Sequence, residues 1–134
     1  MDRSEAETWP TEIKLSKDRK SLTVAFDDGQ TFVFSAEYLR VSSPSAEVQG
    51  HSDHERQTVP GKKDVAILEV HPVGNYAVRL LFDDLHSTGI YSWDYFLEIG
   101  RDHDTLWQRY LDELAAKGLS REARPGAPPS GPAR

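Results

Sequence analysis

The chain has 134 residues, no cysteine and a formal net charge of −6 from 16 basic and 22 acidic side chains. The lack of cysteine excludes disulfides, thiolate-held zinc or iron–sulfur centres and cysteine nucleophiles, so a metal would have to rest on histidine and carboxylate. The acidic balance opposes the phosphate backbone of nucleic acids, the apolar runs are far too short for a membrane span, and the charged start carries no targeting pattern, which together suggest a cytoplasmic protein.

Residues 1–10 are polar and aperiodic and are expected to form a disordered lead-in to a single domain over 11–118. Ile13 and Leu15 alternate with Glu12, Lys14 and Ser16, the pattern of a half-buried strand. Leu22, Val24 and Phe26 alternate in turn, meet Asp27-Asp28-Gly29 and continue into Phe32 and Phe34, which makes a hairpin. A two-residue loop would split these apolar residues across both faces. A three-residue loop instead sets Phe26 opposite Gln30, Val24 opposite Phe32 and Leu22 opposite Phe34, with Gly29 at the left-handed position of a bulged turn.

Ser35 then caps a helix of one or two turns anchored by Tyr38 and Leu39. Residues 42–63 hold no period and read as a long exposed loop, of the kind that is functional or mobile. Lys17-Asp18-Arg19-Lys20 and Lys62-Lys63 read as ordinary solvated turns. Strands resume from Val65 to Val70 and from Tyr76 to Phe82, and a five-residue loop sets Val70 opposite Tyr76 and Leu68 opposite Val78. The aromatic stretch from Phe82 to Gly100 should form the floor of the core. Leu106, Trp107, Tyr110, Leu111 and Leu114 follow at helical spacing, with Asp102 or Asp104 as N-cap and Gly118 as stop. The remainder, 119–134, has nothing to bury and is expected to be disordered. The fold class expected is α+β: one antiparallel sheet of about five strands built from two hairpins, a short helix, and a C-terminal helix packed on the sheet.

Several constellations invite chemistry. His51-Ser52-Asp53 matches part of a two-histidine, one-carboxylate iron site, with His71, His86 or His103 as the third ligand, but it lies in a polar loop rather than on rigid strands. His51, His54 and Glu55 could hold zinc only loosely without a thiolate. His86 either ligates a metal or donates a ring hydrogen to a backbone carbonyl at the start of its turn. Asp27-Asp28 and Asp83-Asp84 sit in turns, where aspartate is favoured for local hydrogen bonding. Tyr91, Trp93, Asp94 and Tyr95 form a candidate interaction surface. Pairing through an exposed sheet edge would give a homodimer.

Three stretches, Leu39 to Val48, Pro72 to Ala77 and Asp84 to Tyr95, the last with its Gly89-Ile-Tyr-Ser-Trp-Asp-Tyr95 run, resemble the γ-butyrobetaine hydroxylase N-terminal-like domain family, formerly a domain of unknown function. The resemblance spans residues 10–117. In the eukaryotic hydroxylases such a domain precedes an iron- and 2-oxoglutarate-dependent barrel and holds structural zinc through cysteines and a histidine. His86 falls at the histidine position, whereas the cysteines fall on Ser43, Ser45 and Val48. One imidazole and two hydroxyls do not replace three thiolates, so no cofactor is expected. The barrel is absent too, so the resemblance implies a non-enzymatic accessory or protein-interaction domain, linked through fused relatives to iron–sulfur or oxygenase systems. The alternative is an iron- or zinc-binding, oxidoreductase-associated domain using His86 with His51 and Asp53.

Overall fold

A computed structural model describes residues 8–49 and 57–122. In chain order the elements are β1 (Pro10–Leu15), β2 (Ser21–Phe26), β3 (Thr31–Ser35), α1 (Ala36–Val41), α2 (Ala46–Gln49), β4 (Ile67–Val73), β5 (Ala77–Phe82), β6 (Ile90–Ser92), α3 (Trp93–Arg101) and α4 (His103–Ala116). The strands form two separate three-stranded antiparallel sheets, β1-β2-β3 and β4-β5-β6. The single sheet of about five strands with two helices is therefore corrected to two sheets and, among the described residues, four helices.

Local geometry explains the break between the sheets. Ser35 adopts extended backbone angles and its hydroxyl accepts from the Tyr38 N–H at 3.0 Å, so the chain turns into α1 directly from β3 and leaves the sheet. Among the described residues the β1–β2 turn hydrogen-bonds to β4 through Arg19, whose carbonyl accepts from the Ile67 N–H at 2.8 Å and whose guanidinium donates to the Leu68 carbonyl at 2.6 Å. Arg19 sits at φ +64°, a conformation that cannot propagate a ladder. What unites the two sheets is one core, in which Leu22, Val24 and Phe34 from the first meet Ile67, Leu80 and Phe82 from the second.

The first hairpin has the register expected, with Leu22 opposite Phe34, Val24 opposite Phe32, and Gly29 at φ +93°. The second does not. Val70 faces Leu80, Pro72 faces Val78 and Val73 faces Ala77, because β4 continues through His71-Pro72-Val73 and a bulge at Leu68 shifts Ile67 to face Phe82. Pro72 is tolerated because β4 is an edge strand, where a missing N–H need cost no ladder bond.

The aromatic stretch holds a helix as well as a strand. Ser92 accepts from the Tyr95 N–H at 3.1 Å and starts α3, whose Phe96, Leu97 and Ile99 are buried. Phe96 packs on Phe34 at 5.5 Å and on Tyr91 at 5.6 Å, ring centre to ring centre, which makes α3 the element that covers the core. At Gly100 an added Cβ would lie 2.7 Å from the Phe32 ring, so α3 and β3 approach through that glycine. The role expected of α4 as cover for the sheet is only partly filled. Leu106 and Trp107 reach the main core, while Tyr110 and Leu114 form a small second cluster with Val41. Helix α4 ends as expected at Gly118, φ +67°, with the Gly118 N–H on the Ala115 carbonyl and the Leu119 N–H on the Leu114 carbonyl.

The segment just after α4 is packed rather than loose. The Ser120 and Arg121 carbonyls accept from the Gly61 and Lys63 N–H groups at 2.9 and 3.0 Å. The Arg121 guanidinium makes two 2.8 Å bonds to the buried Glu37 carboxylate and lies 5.2 Å above the Trp107 ring.

Candidate functional site

The polar centre of the molecule lies where the C-terminal end of α1, helix α2 and the β5–β6 connection meet. Two tyrosine hydroxyls fix the α1 end, Tyr91 donating to the Leu39 carbonyl and Tyr95 to the Ser42 carbonyl, both at 2.5 Å. These are carbonyls that the last turn of a helix leaves without an intrahelical donor. The loop expected to be exposed from residue 42 is instead partly core: Ser43, Ser45 and Val48 are buried, and the Ser45 hydroxyl accepts from the Glu47 N–H at 3.1 Å to start α2.

Around His86 these pieces close a network. Its Nε2 lies 2.9 Å from the Ser43 hydroxyl, and its Nδ1 lies 3.5 Å from Glu47 Oε1. A carboxylate only accepts, so the proton of the neutral ring belongs on Nδ1, and the Ser43 hydroxyl donates to Nε2. Next to it, the Ser45 and Thr88 hydroxyls lie 2.7 Å apart, and Thr88 donates to Glu47 Oε2 at 3.2 Å. Asp84 carries the second half of the cluster. Its Oδ1 accepts from the His86 N–H at 3.0 Å, and its Oδ2 receives both Arg40 Nε and Lys62 Nζ at 2.7 Å. The Asp83-Asp84 turn reading thus holds, while Lys62 is a half-buried partner of Asp84 rather than part of a solvated turn.

The electrostatics follow from this packing. Burial pushes the Asp84 carboxyl up, but the Lys62 hydrogen bond, the His86 N–H and the Arg40 charge together outweigh it and hold its pKa at about 2. Burial first, then the nearby Arg40 charge, moves the His86 imidazole below the usual histidine range. His86 is therefore neutral at neutral pH.

Serine, histidine and glutamate in this order have the connectivity of an acyl-transfer triad, yet access decides against it. Ser43 is 0% exposed, and a Cβ built on Gly89 would fall 2.4 Å from its hydroxyl oxygen, so no substrate carbonyl can reach that atom. The zinc implied by the family resemblance does not fit either. Val48 offers no donor and the Ser43 and Ser45 hydroxyls are engaged in hydrogen bonds. Among the described residues no group of three or more histidine, aspartate or glutamate side chains is placed to hold a metal ion. His51, Asp53, His54 and Glu55 lie outside the described residues. His71 pairs with Glu69 at 2.6 Å, and His103 stands 4.6 Å from Tyr38 and 6.5 Å from Trp107, ring centre to ring centre, so neither meets His86.

Of the four surface candidates, Tyr91 is 0% exposed and supports the surface from beneath. Asp94 is exposed, and Trp93 and Tyr95 are half-buried, with the Trp93 ring N–H donating to the Asn75 carbonyl at 2.9 Å. Beside them Tyr76 is 54% and Ile90 44% exposed. Tyr76 was read from sequence as the first residue of a strand, opposite Val70. The extension of β4 to Val73, paired with Ala77, puts it in the turn instead. Arg40, Glu47, Lys62 and Gly89 were not foreseen as parts of the polar centre, because no local pattern joins positions this far apart.

A small α+β domain built around a polar centre whose Ser43 and His86 are buried, with its aromatic helix N-terminus turned outward, is the class that fold and site define. The family model described as "Gamma-butyrobetaine hydroxylase-like, N-terminal" matches residues 13–97, and the chain belongs to that family. Two proteins solved by NMR in solution are similar to it. One is 44% identical over 85% of this chain and 90% of that one, with a TM-score of 0.73. The other is 42% identical over 100% and 96%, with a TM-score of 0.75. A crystal structure of a protein of unknown function of the DUF971 family from Acidithiobacillus ferrooxidans is 35% identical, covering 74% of this chain and 98% of that one, with a TM-score of 0.59. No curated protein matches the chain.

Proposed function

We propose that the protein is a non-catalytic accessory domain of the cytoplasm that docks a protein partner through the outward side of β6 and the first turn of α3. The observation that carries this reading is the division of the chemistry. The Ser43 hydroxyl and the His86 ring are buried beside Gly89, while Trp93, Asp94 and Tyr95 stand at the surface with Tyr76 and Ile90. Half-buried aromatic residues beside exposed apolar ones are the composition of an interface core. The formal charge of −6, with Asp94 inside the patch, favours a partner with a basic face over nucleic acid. The family resemblance lends support to a partner from iron–sulfur or oxygenase systems. The folding unit runs over residues 11–118 together with the packed 119–122 segment.

A photo-crosslinker placed at Asp94, with a second at Val33 as control, tests the surface in the native cell. A product formed at position 94, absent at 33 and lost from the Tyr76→Ala, Trp93→Ala double variant, is expected. Equal products at the two positions would discard this surface.

A further inference from the structure

Strands β1, β3, β4 and β6 stand at the edges of the two sheets. Lysines, prolines, bulges and short lengths are the usual protections of such edges against pairing with another chain. Strand β1 begins at Pro10, has an irregular register between Pro10 and Glu12, and bears Lys14. Strand β4 carries Pro72 and the bulge at Leu68, and β6 is only 3 residues long. Strand β3 has none of these. From Gly29 to Ala36 the chain holds no charge and no proline, and Thr31–Ser35 is built of β-branched, aromatic and hydroxyl side chains that suit a strand. Val33 at its centre is 67% exposed, the most of any large apolar side chain among the described residues.

The bonds that flank the β2–β3 ladder, from the Phe26 N–H to the Gln30 carbonyl and from the Ala36 N–H to the Lys20 carbonyl, both at 2.8 Å, fix its alternation. Phe32 and Phe34 turn their peptide groups to β2, so Thr31 and Val33 turn theirs to the open edge. We infer that two copies of this chain pair through β3, antiparallel and centred on Val33, joining their β1-β2-β3 sheets into one. In that register the two Val33 residues exchange N–H to carbonyl bonds and cover each other's side chains, while Phe32 faces Phe34 of the second copy and Thr31 faces Ser35. The strand is thus its own complement, like meeting like, and its neutrality keeps the charge of −6 on each chain away from the contact. A pairing centred on Thr31 would set Val33 against Gly29 and leave it uncovered. The docking surface on β6 and the start of α3 belongs to the other sheet and stays open. A strand pair of this length buries less than the roughly 1,200 Å² of a stable interface, so the dimer is a weak one.

Sedimentation velocity of the full chain should show a monomer–dimer equilibrium with a Kd between about 10 µM and about 1 mM. Over that range hydrogen exchange at the Val33 amide should slow with concentration, while that at Ile13, on the β1 edge, should not. Val33→Lys and Val33→Glu, both at an exposed position, should keep the folded spectrum and each weaken the dimer at least about tenfold, since like charges then stand opposite each other. Mixing the two variants should restore it. The Tyr76→Ala, Trp93→Ala double variant should dimerise like the parent, which separates this contact from the docking surface. Any crosslink from Val33 to a second copy has twice the chain mass and is not confused with the partner product at Asp94. A chain that stays monomeric to about 1 mM would overturn the inference. So would dimerisation that both Val33 variants leave intact, a mixture no tighter than either variant alone, Val33 exchange that ignores concentration, or a dimer lost in the Tyr76, Trp93 double variant.

Discussion

Gly89 has no room for a side chain, since the Cβ it lacks would sit 2.4 Å from the Ser43 hydroxyl oxygen and 3.1 Å from the Tyr91 ring. Gly89→Ala should cost roughly 1–3 kcal/mol by overpacking, read as a lower midpoint in urea, and Ser43→Ala should relieve part of that cost in the double variant. His86 gives a pH signature. Its folded pKa lies below the ordinary 6.5, so the unfolded chain takes up the proton first; the stability this provides is complete above that value and is lost as pH falls through the folded pKa. Melting temperature should therefore drop as pH falls below about 6.5, and His86→Gln, which cannot titrate, should flatten that limb. Asp84, held at about 2 against an ordinary 3.8, adds a second loss in stronger acid, between those two values. Replacing it by Asp84→Asn leaves Arg40 and Lys62 facing each other across a half-buried site and should cost roughly 1–3 kcal/mol. Sequence alone left His86 between a metal ligand and a donor to a backbone carbonyl, because the Ser43 hydroxyl and the Glu47 carboxylate that face its ring lie some forty positions away.

The helices show where local chemistry is legible and where it is not. Ser35 and Ser92 both cap with a side-chain bond to the third residue on, whereas Asp102 starts α4 with no such bond. Ser92→Ala should lose about 1 kcal/mol, and Asp102→Ala clearly less, when both are compared by chemical unfolding. The Ser35 signal was readable because a strand pattern stopped at it. The equivalent signal at Ser92 was hidden by the aromatic residues after it, which suit a strand, a turn or a helix equally. The first hairpin was readable to the register because only one loop length keeps its apolar residues on one face. The second was not, because a bulge and an edge proline break the alternation that such reasoning needs.

At the scale of the whole molecule, the division into two sheets was invisible to periodicity, which reports a strand's faces but not its neighbours. It depends on a turn residue in the left-handed region and on helix α1 leaving directly from β3. Cohesion then falls to aromatic packing and hydrogen bonds across the core, with no contribution from thiolates, so treatment with a chelator should leave the thermal melt of untagged protein unchanged. Loss of cooperative melting on chelation would contradict the donor set described here.

Glu37 has its carboxylate inside the protein and its counter-charge on Arg121, beyond the end of the last helix. A fragment cut after Gly118, where the sequence suggests stopping, would thus carry an uncompensated acid in its interior. Anyone trimming the chain for crystals or grafting it onto another protein should keep four more residues, to Glu122, and place any junction after them.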